Sequence, residues 1–197
     1  MKTLALDTAH QYLTLALIED DRLIDSLQVL AIRQQSEMIM VEIDKLFKQN
    51  AWQSTDLNAV LITIGPGSYT GLRIAMTIAK VLATVAPIEI YTLSTLALLA
   101  GMKEHCAVAL DARSQRVYFG IYHLGQCVMP DQILSIEQAK KVILTCTHLM
   151  GNGSLLAYQD DFNYIRHFVD LRKQWVKVEN VHTLTPIYLK TESDYQL

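Results

Sequence analysis

The chain opens with three short apolar runs that are separated by polar turns: KTLALDTA, YLTLALIE and RLIDSLQVL. Apolar runs of this length predict β-strands, and the brief turns between them predict a meander. The next segment, QQSEMIMVEIDKLFKQ, repeats apolar residues at steps of three and four instead. This spacing predicts an amphipathic helix whose buried side holds Ile39, Ile43 and Phe47. Either Gln35 or Ser36 opens that helix.

Two more pairs of a strand and a helix complete the first half of the chain. LNAVLITIG predicts a buried strand that ends in a glycine turn, and the apolar stretch from Thr70 to Ala86 predicts a helix that Pro87 ends. IEIYTL predicts a further strand, and STLALLAGM a short helix with Ser94 as its N-cap. The predicted order over the first hundred residues is therefore βββαβαβα.

The same pattern then restarts in the second half. LALDTAHQYLTLALI at residues 4–18 aligns without a gap with VALDARSQRVYFGIY at residues 108–122, so that Asp7 falls on Asp111. QCVMPDQIL and SIEQAKKVILT supply a third strand and a first helix again, and HLMGNGS stands roughly where LITIGPGS stands in the first half. Ser135 and Gln138 form a predicted capping box at the start of that helix. This self-similarity indicates an internal duplication.

Two βββαβα lobes, each beginning with a strand that ends in Asp, predict an α/β protein with a duplicated ribonuclease-H-like fold. This is the fold of the actin-like ATPases, the ASKHA group, in which the turn after each Asp helps to hold phosphate and metal between the lobes. We place the N-terminal lobe at residues 1–103 and the C-terminal lobe at residues 104–197. The second lobe is compressed, because only about thirty residues follow Gly153 before Pro186 and leave little room for a full helical layer.

Composition limits the function classes. The 197 residues include 17 basic and 20 acidic side chains, a net charge of −3, without the basic stripe that autonomous nucleic-acid binding requires. The three cysteines are widely spaced and form no CxxC, which predicts reduced thiols in a cytoplasmic protein. The uncharged apolar run at residues 57–72 contains Gly-Pro-Gly, so no membrane span is predicted.

The candidate chemistry centres on Asp7 and Asp111, at the two predicted phosphate turns. Neither DTAH nor DARS contains a glycine, which hinders the close approach of backbone amides to a triphosphate, and we interpret both turns as vestigial. The sequence also offers no carboxylate cluster for a two-metal nuclease, no paired histidines for a metalloenzyme and no GxSxG motif for a serine hydrolase. No catalytic residue, metal or cofactor is therefore predicted.

The helix behind the glycine turn has more apolar surface than one core requires. Its polar residues form a narrow stripe from Arg73 to Thr84, which leaves an apolar arc of about 220° at 100° per residue. One side of this arc is bulky, and the other is a smooth line of alanines. Two interpretations stay open: a helix buried within its own domain, or a smooth side that receives a partner helix. Met38 and Val41 add an apolar side to the preceding helix and favour the partner surface.

Six blocks of the sequence resemble the TsaB family, also called YeaZ: LALDTAHQYLTLAL, ITIGPGSYTGLRIAMTIAKVLA, YTLSTLALLA, ALDARSQRVYFGIY, GNGS and the closing TPIYLK. The blocks occur in the order of the family and span nearly the whole chain. The central GPGSYTGLRI block is highly specific. Members of this family are bacterial partner proteins in making threonylcarbamoyladenosine in transfer RNA.

The resemblance implies a non-catalytic, degenerate member of the actin-like fold that acts as a scaffold. Such a chain binds the catalytic subunit TsaD, the ATPase TsaE docks at their junction, and tRNA binds only within the complex. Isolated members often pair with themselves through the same surface, which the first two helices form. Carried onto this sequence, the contact residues are Gln35, Met38, Val41, Leu72, Ala75, Met76, Ala79 and Ala83.

The glycines of the turn, Gly65, Gly67 and Gly71, are interpreted as structural. We expect Gly67 to adopt a backbone conformation closed to β-branched residues. Two other functions stay open: a small actin-like ATPase or metallopeptidase-like enzyme acting alone, and a self-associating structural protein. The glycine-free phosphate turns argue against the ATPase, and the missing histidine pair argues against the peptidase.

Overall fold

The computed structural model describes residues 1–190, and its first sheet confirms the predicted order of elements. The strands are β1 (Lys2–Asp7), β2 (Tyr12–Glu19), β3 (Arg22–Leu30), β4 (Ala59–Thr63) and β5 (Glu89–Leu93). They lie in the order β5-β4-β1-β2-β3, with β2 antiparallel to both of its neighbours and β4 and β5 parallel to β1. The helices of this half are α1 (Gln35–Gln49), α2 (Tyr69–Val85) and α3 (Thr95–Ala100).

A second sheet repeats this arrangement in a shorter form. Its strands are β6 (Cys106–Asp111), β7 (Arg116–His123), β8 (Gln126–Ser135) and β9 (His148–Gly151), in the order β8-β7-β6-β9. Again the first three strands are antiparallel and the fourth is parallel to the first. The helices α4 (Ile136–Val142) and α5 (His167–Asp170) belong to this half. The duplicated ribonuclease-H-like fold is thereby confirmed.

Local capping determines where several helices begin. Ser94 Oγ accepts an amide of the first turn of α3 at 3.2 Å, as predicted. The predicted capping box of α4 is also present: Ser135 Oγ accepts the Gln138 amide at 3.1 Å, and Gln138 Oε1 accepts the Ser135 amide at 2.9 Å. α2 begins one residue before its predicted start, because Ser68 is its N-cap and accepts a first-turn amide at 3.2 Å.

Alternation along the strands divides the apolar residues of the first sheet between two cores. Leu4 and Leu6 of β1 point to the side that α1 and α2 cover, whereas Ala5 points to the opposite side. In β4, Ile62 points to the side that the helices cover, and Leu61 points to the opposite side. Successive strand residues point to opposite faces, so both faces of this sheet are buried. The near-continuous apolar runs in the sequence reflect this burial.

The opposite face of the first sheet meets the second sheet. One apolar cluster joins Ala5 and Leu61 to Val108 and Leu110 of β6. All of α3 is buried within this layer. Aromatic side chains from the segment after β9 fill the rest of it: Phe162, Tyr164, Phe168 and Trp175. The two halves of the chain therefore share a core.

The C-terminal segment, residues 176–190, returns to the first sheet. Its strand β10 (Val176–Lys177) pairs antiparallel with β5, and the Val178 amide donates to the Ile90 carbonyl at 2.9 Å. Further along, the Ile187 amide donates to the Ile64 carbonyl at 2.7 Å, directly before the glycine turn. Residues assigned to the C-terminal lobe thus complete an edge of the first sheet, and the boundary at residue 103 stays a prediction.

The glycine turn after β4 packs closely against two other segments. Gly65 has a φ of 116°, in the left-handed region, and a Cβ there would lie 2.5 Å from the Ile187 carbonyl oxygen. A Cβ at Gly67 would lie 2.5 Å from the Ala9 carbonyl oxygen. The φ of Gly67 lies outside the left-handed region, so the reason expected for this glycine is wrong. Close approach to the β1–β2 turn, and not backbone conformation, excludes a larger residue there.

A Gly71→Ala variant tests this close packing. A Cβ at Gly71 would overlap with the Thr8 carbonyl oxygen, and the Thr8 hydroxyl donates to the Gly71 carbonyl at 2.6 Å. Alanine is favoured over glycine in a helix by about 1 kcal/mol, so helix propensity alone predicts stabilisation. We expect instead that the free energy of unfolding in urea falls by about 2–4 kcal/mol, because Thr8 must move.

Thr70→Ala is the control for Gly71→Ala, since Thr70 is the exposed neighbour in the same helical turn. We expect the control to remain within about 0.5 kcal/mol of the unsubstituted chain. Equal stabilities of the two variants would contradict a steric requirement at Gly71.

Candidate functional site

The smooth side of α2 is its core side. Leu72, Ala75 and Ala79 have no exposed surface, and Met76 is buried with them. Ala83 is half-buried at the edge of the same core. The interpretation that this side receives a partner helix is therefore wrong, because the side packs on the sheet of its own lobe. The large Leu, Val and Ile side chains of β1 and β4 fill the space that the small helix residues leave, as close packing requires.

The bulky side of α2 is its exposed side. Val81 is 55% and Val85 is 74% exposed. Ile74 and Ile78 are half-buried, beside the exposed Thr77. A surface helix normally presents polar residues to water, so this side of α2 is the surplus apolar surface that the sequence predicted.

The outer side of α1 differs from the prediction at two positions. Gln35 is buried, and its Nε2 donates to the His10 carbonyl at 2.7 Å, which anchors the start of α1 to the β1–β2 turn. Met38 is half-buried against the core beneath the helix. Val41 is exposed, as expected. Met40, which the sequence analysis did not single out, is 58% exposed and faces α2.

An open groove, the α1–α2 groove, lies between the outer sides of these two helices. It contains two cavities, of about 600 Å³ and about 430 Å³, which share Met40, Thr77 and Ile78 in their linings. The larger cavity extends to Trp52, and the smaller one extends to Tyr69. Other apolar residues of the larger cavity are Ile43, Phe47, Leu57, Val81 and Leu82. An apolar groove between two helices is typical of surfaces that bind a partner helix.

The β1–β2 turn of the first lobe is closed by the protein's own side chains. Asp7 is wholly buried, and its Oδ1 accepts the Ala9 amide at 2.9 Å and the Thr63 hydroxyl at 2.7 Å. Its Oδ2 accepts the Tyr164 hydroxyl at 2.7 Å and lies 2.9 Å from His10 Nε2. Each carboxylate oxygen thus has two donors. Asp7 presents no free oxygen with which to hold a metal ion.

The hydrogen-bond pattern fixes the protons of this network. His10 Nδ1 accepts the Tyr12 amide at 3.2 Å, so the imidazole proton lies on Nε2, which faces Asp7 and Tyr164. Burial raises the pKa of Asp7, but the His10 imidazole, the Ala9 amide and the Tyr164 hydroxyl together lower it below its ordinary value. Burial and the Asp7 charge raise the pKa of Tyr164 well above its ordinary value. At neutral pH the carboxylate is therefore charged and the phenol protonated.

Asp111, the equivalent residue of the second lobe, has a different environment. Its side chain is 38% exposed, and its Oδ2 lies 3.0 Å from Arg113 Nη1. Its Oδ1 accepts the Arg113 amide at 2.7 Å, and the Asp111 amide donates to Asn152 Oδ1 at 3.1 Å. Of the two equivalent residues of the duplication, Asp7 thus lies in a buried hydrogen-bond network, and Asp111 lies in a surface turn.

Within residues 1–190, no group of three or more His, Cys, Asp and Glu side chains is arranged to hold a metal ion. None of the helices in this range has the length and apolar content that crossing a membrane requires.

The fold and the closed first turn define a class: a duplicated ribonuclease-H-like protein in which protein groups occupy the carboxylate of the first β1–β2 turn. The sequence model of a family described as "TsaD: tRNA N6-adenosine threonylcarbamoyltransferase" matches residues 29–154. The tRNA threonylcarbamoyladenosine biosynthesis protein TsaB of Bacillus subtilis (strain 168) is 34% identical over 140 residues. That match covers 67% of this chain and 61% of the relative, so it spans less than two thirds of the relative's length.

Two solved structures share the fold over nearly the whole chain. YeaZ from Pseudomonas aeruginosa has a TM-score of 0.75 at 22% identity and covers 95% of this chain and 99% of its own. A protein described as uncharacterized, with similarity to peptidase YEAZ from Pseudomonas aeruginosa, has a TM-score of 0.80 at 21% identity and covers 96% and 99%. The chain belongs to the TsaB (YeaZ) family.

An Asp7→Asn variant tests the buried network. At pH 7 we expect a loss of about 2–4 kcal/mol in the free energy of unfolding, since an amide cannot accept all four donors. The folded-state pKa of Asp7 lies below the unfolded-state value, so its contribution is complete above about pH 4 and is lost as the pH falls through the folded-state pKa. Urea denaturation over a pH series should show the two proteins converging in acid.

Asp111→Asn is the matched control, because it makes the same change at the equivalent, exposed position. We expect an effect within about 0.5 kcal/mol at every pH. If Asp7→Asn is as mild as Asp111→Asn, the network around Asp7 does not stabilise the fold.

Proposed function

We propose that this chain is the non-catalytic scaffold subunit of the complex that adds the threonylcarbamoyl group to adenosine next to the anticodon in tRNA. It binds and supports TsaD, the catalytic subunit, through the α1–α2 groove. The ATPase TsaE docks at the junction of the two, and tRNA binds only to the assembled complex. In the absence of TsaD, two copies of the chain pair through the same groove.

The observation that carries this proposal is the exposed apolar groove between α1 and α2. Met40 is 58% and Val81 is 55% exposed along it. Covering such a surface removes apolar area from water, which is the main favourable term in protein association. The groove lies between two helices and so fits the helices of a partner in a bundle.

The choice of partner is supported by the relatives. The Bacillus subtilis relative is named for tRNA threonylcarbamoyladenosine biosynthesis, and the matching family description names a threonylcarbamoyltransferase. A chain of this family with a partner surface and a closed phosphate turn therefore fits the accessory role better than the catalytic one.

The non-catalytic role is supported by the β1–β2 turn of the first lobe. The Ser68 amide donates to the Ala9 carbonyl at 2.7 Å, and the Thr8 hydroxyl donates to the Gly71 carbonyl at 2.6 Å. The glycine turn thus packs directly on the turn that would have to approach a phosphate group. Together with the four donors on Asp7, this packing disfavours nucleotide binding at this turn.

A Val81→Asp variant tests the partner surface. Burying an unpaired carboxylate in an apolar interface costs about 3–5 kcal/mol, so binding to TsaD of the same organism should weaken by 100-fold or more. Isothermal titration calorimetry measures this affinity, and a reconstituted tRNA-modification assay should lose activity in parallel. The fold should be retained, because Val81 is exposed in the free chain.

Val128→Asp is the matched control: Val128 is 59% exposed and lies on β8, in the second lobe. We expect it to bind TsaD as the unsubstituted chain does. Equal affinities of the Val81 and Val128 variants would show that the α1–α2 groove is not the contact. Ala79→Glu is unsuited to this test, because Ala79 lies in the core of its own lobe.

The alternative of an enzyme acting alone is tested by ATP turnover. We expect the purified chain to release phosphate from ATP at the rate of a buffer blank, because neither oxygen of Asp7 is free and the turn has no glycine. Malachite-green detection measures this rate, with the ATPase TsaE as the positive control. Turnover that is present in the chain and lost in Asp111→Asn would support the enzyme.

A further inference from the structure

The two ends of the α1–α2 groove differ in chemistry. The larger cavity ends among Phe47, Trp52 and Leu57, all of them buried or nearly so. The charged residues at that end, Asp44 and Lys48, pair with each other at 2.7 Å. This end therefore offers an apolar pocket without a net charge on its rim.

The other end, next to the glycine turn, is built from phenols and a guanidinium. Tyr69 is 53% exposed, and the Arg73 guanidinium lies over its ring, 5.4 Å from the centroid. Arg73 Nη1 is 3.4 Å from the Tyr69 hydroxyl. Ser36 and Thr70 supply hydroxyl groups to the same cavity of about 430 Å³.

The C-terminal segment contributes one wall of this end. Tyr188 stacks on Tyr69, with ring centroids 4.9 Å apart and planes inclined by 25°. The amide of the preceding residue, Ile187, donates to the Ile64 carbonyl directly after β4, which holds Tyr188 in place. The hydrogen bond to the Tyr188 hydroxyl, together with the Tyr69 phenol, raises the pKa of Arg73 above its ordinary value. The guanidinium is therefore oriented by two aromatic side chains.

Arg73 carries a positive charge that the described part of the chain does not neutralise. The Tyr69 ring lies beneath the guanidinium, and none of the ion pairs formed within residues 1–190 includes Arg73. A planar guanidinium held by aromatic rings is well suited to bind a carboxylate through two parallel hydrogen bonds. This end of the groove is therefore suited to bind an anionic group of a partner.

We propose that Arg73, Tyr69 and Tyr188 form a carboxylate-binding contact that fixes the direction of the partner helix in the groove. The inference rests on the proposed function, because the occupant is a helix of TsaD. That helix places an acidic side chain at Arg73 and a bulky apolar side chain in the pocket near Trp52. Arg73 and Val81 are eight positions apart on α2, about 12 Å, so the two partner side chains lie about two helical turns apart.

Substitutions at Arg73 test the contact by calorimetric titration with TsaD of the same organism. At low salt, we expect Arg73→Ala to weaken binding by about 5–10-fold and Arg73→Glu by about 30-fold or more, with Arg73→Lys intermediate. Tyr188→Ala should weaken binding by about fivefold, because the guanidinium loses its support. The effect of Arg73→Glu should diminish at about 0.5 M salt, where the screening length is only a few ångströms.

Lys141→Glu is the control for charge, since it makes a similar charge reversal at an exposed position on α4 in the other lobe. We expect its affinity to stay within about twofold of that of the unsubstituted chain. A second arm substitutes Lys, one at a time, for each acidic residue on the first two helices of TsaD. One of these changes should restore binding to Arg73→Glu.

The outcomes separate this inference from the proposed function. If Val81→Asp abolishes binding but Arg73→Glu binds as Lys141→Glu does, the groove is the interface and the carboxylate contact is overturned. If Arg73→Glu weakens binding but no TsaD substitution restores it, the paired carboxylate is also overturned. If Val81→Asp binds TsaD normally, the proposed interface fails, and the inference fails with it.

Discussion

The short turn between β1 and β2 is the constraint on which the rest of the structure depends. The Asp7 carboxylate accepts hydrogen bonds from its own turn, from β4 and from Tyr164, which is 157 residues away in the sequence. The same turn holds both helices of the groove: the His10 carbonyl accepts the Gln35 side chain of α1, and Thr8 bonds to the start of α2. A turn that in related folds faces a phosphate group here positions a surface. The distance between α1 and α2, and hence the groove, follows from it.

The composition of α2 explains why that surface is apolar. Its alanines allow the helix to lie close to the large side chains of β1 and β4, and Ile74 and Ile78 pack only against the edge of this core. Val81 is exposed beyond this edge, and Ile78 and Val81 line the groove together with Met40 of α1. In an isolated domain, such a helix exposes apolar surface to water, which is unfavourable. In a subunit, the same surface is buried when a second protein covers it.

Much of the fold could be predicted from the sequence because its signals are local. The strand runs, the caps at Ser94 and Ser135 and the restart of the pattern after residue 103 each depend on neighbouring residues. The orientation of α2 could not be predicted, since a helical wheel shows two apolar sides but not which one the sheet needs. Likewise, the burial of Gln35 could not be predicted. It follows from the hydrogen bond to the His10 carbonyl, which only the tertiary structure brings within reach. Met40 stands in line with Ile43 and Phe47 at steps of three and four, a signal that could have identified it.

The return of the C-terminal segment to the first sheet has a consequence for synthesis on the ribosome. The Thr92 hydroxyl meets the Val176 carbonyl across 84 positions, and Ile187 reaches back to the residue before the glycine turn. Contacts this distant in sequence form late in folding, because a long loop must close first. While the second half is being translated, the edge strand β5 lacks β10, and Asp7 lacks Tyr164. Until residues 176–178 have emerged, the nascent first lobe is therefore an incomplete folding unit with a free sheet edge at β5.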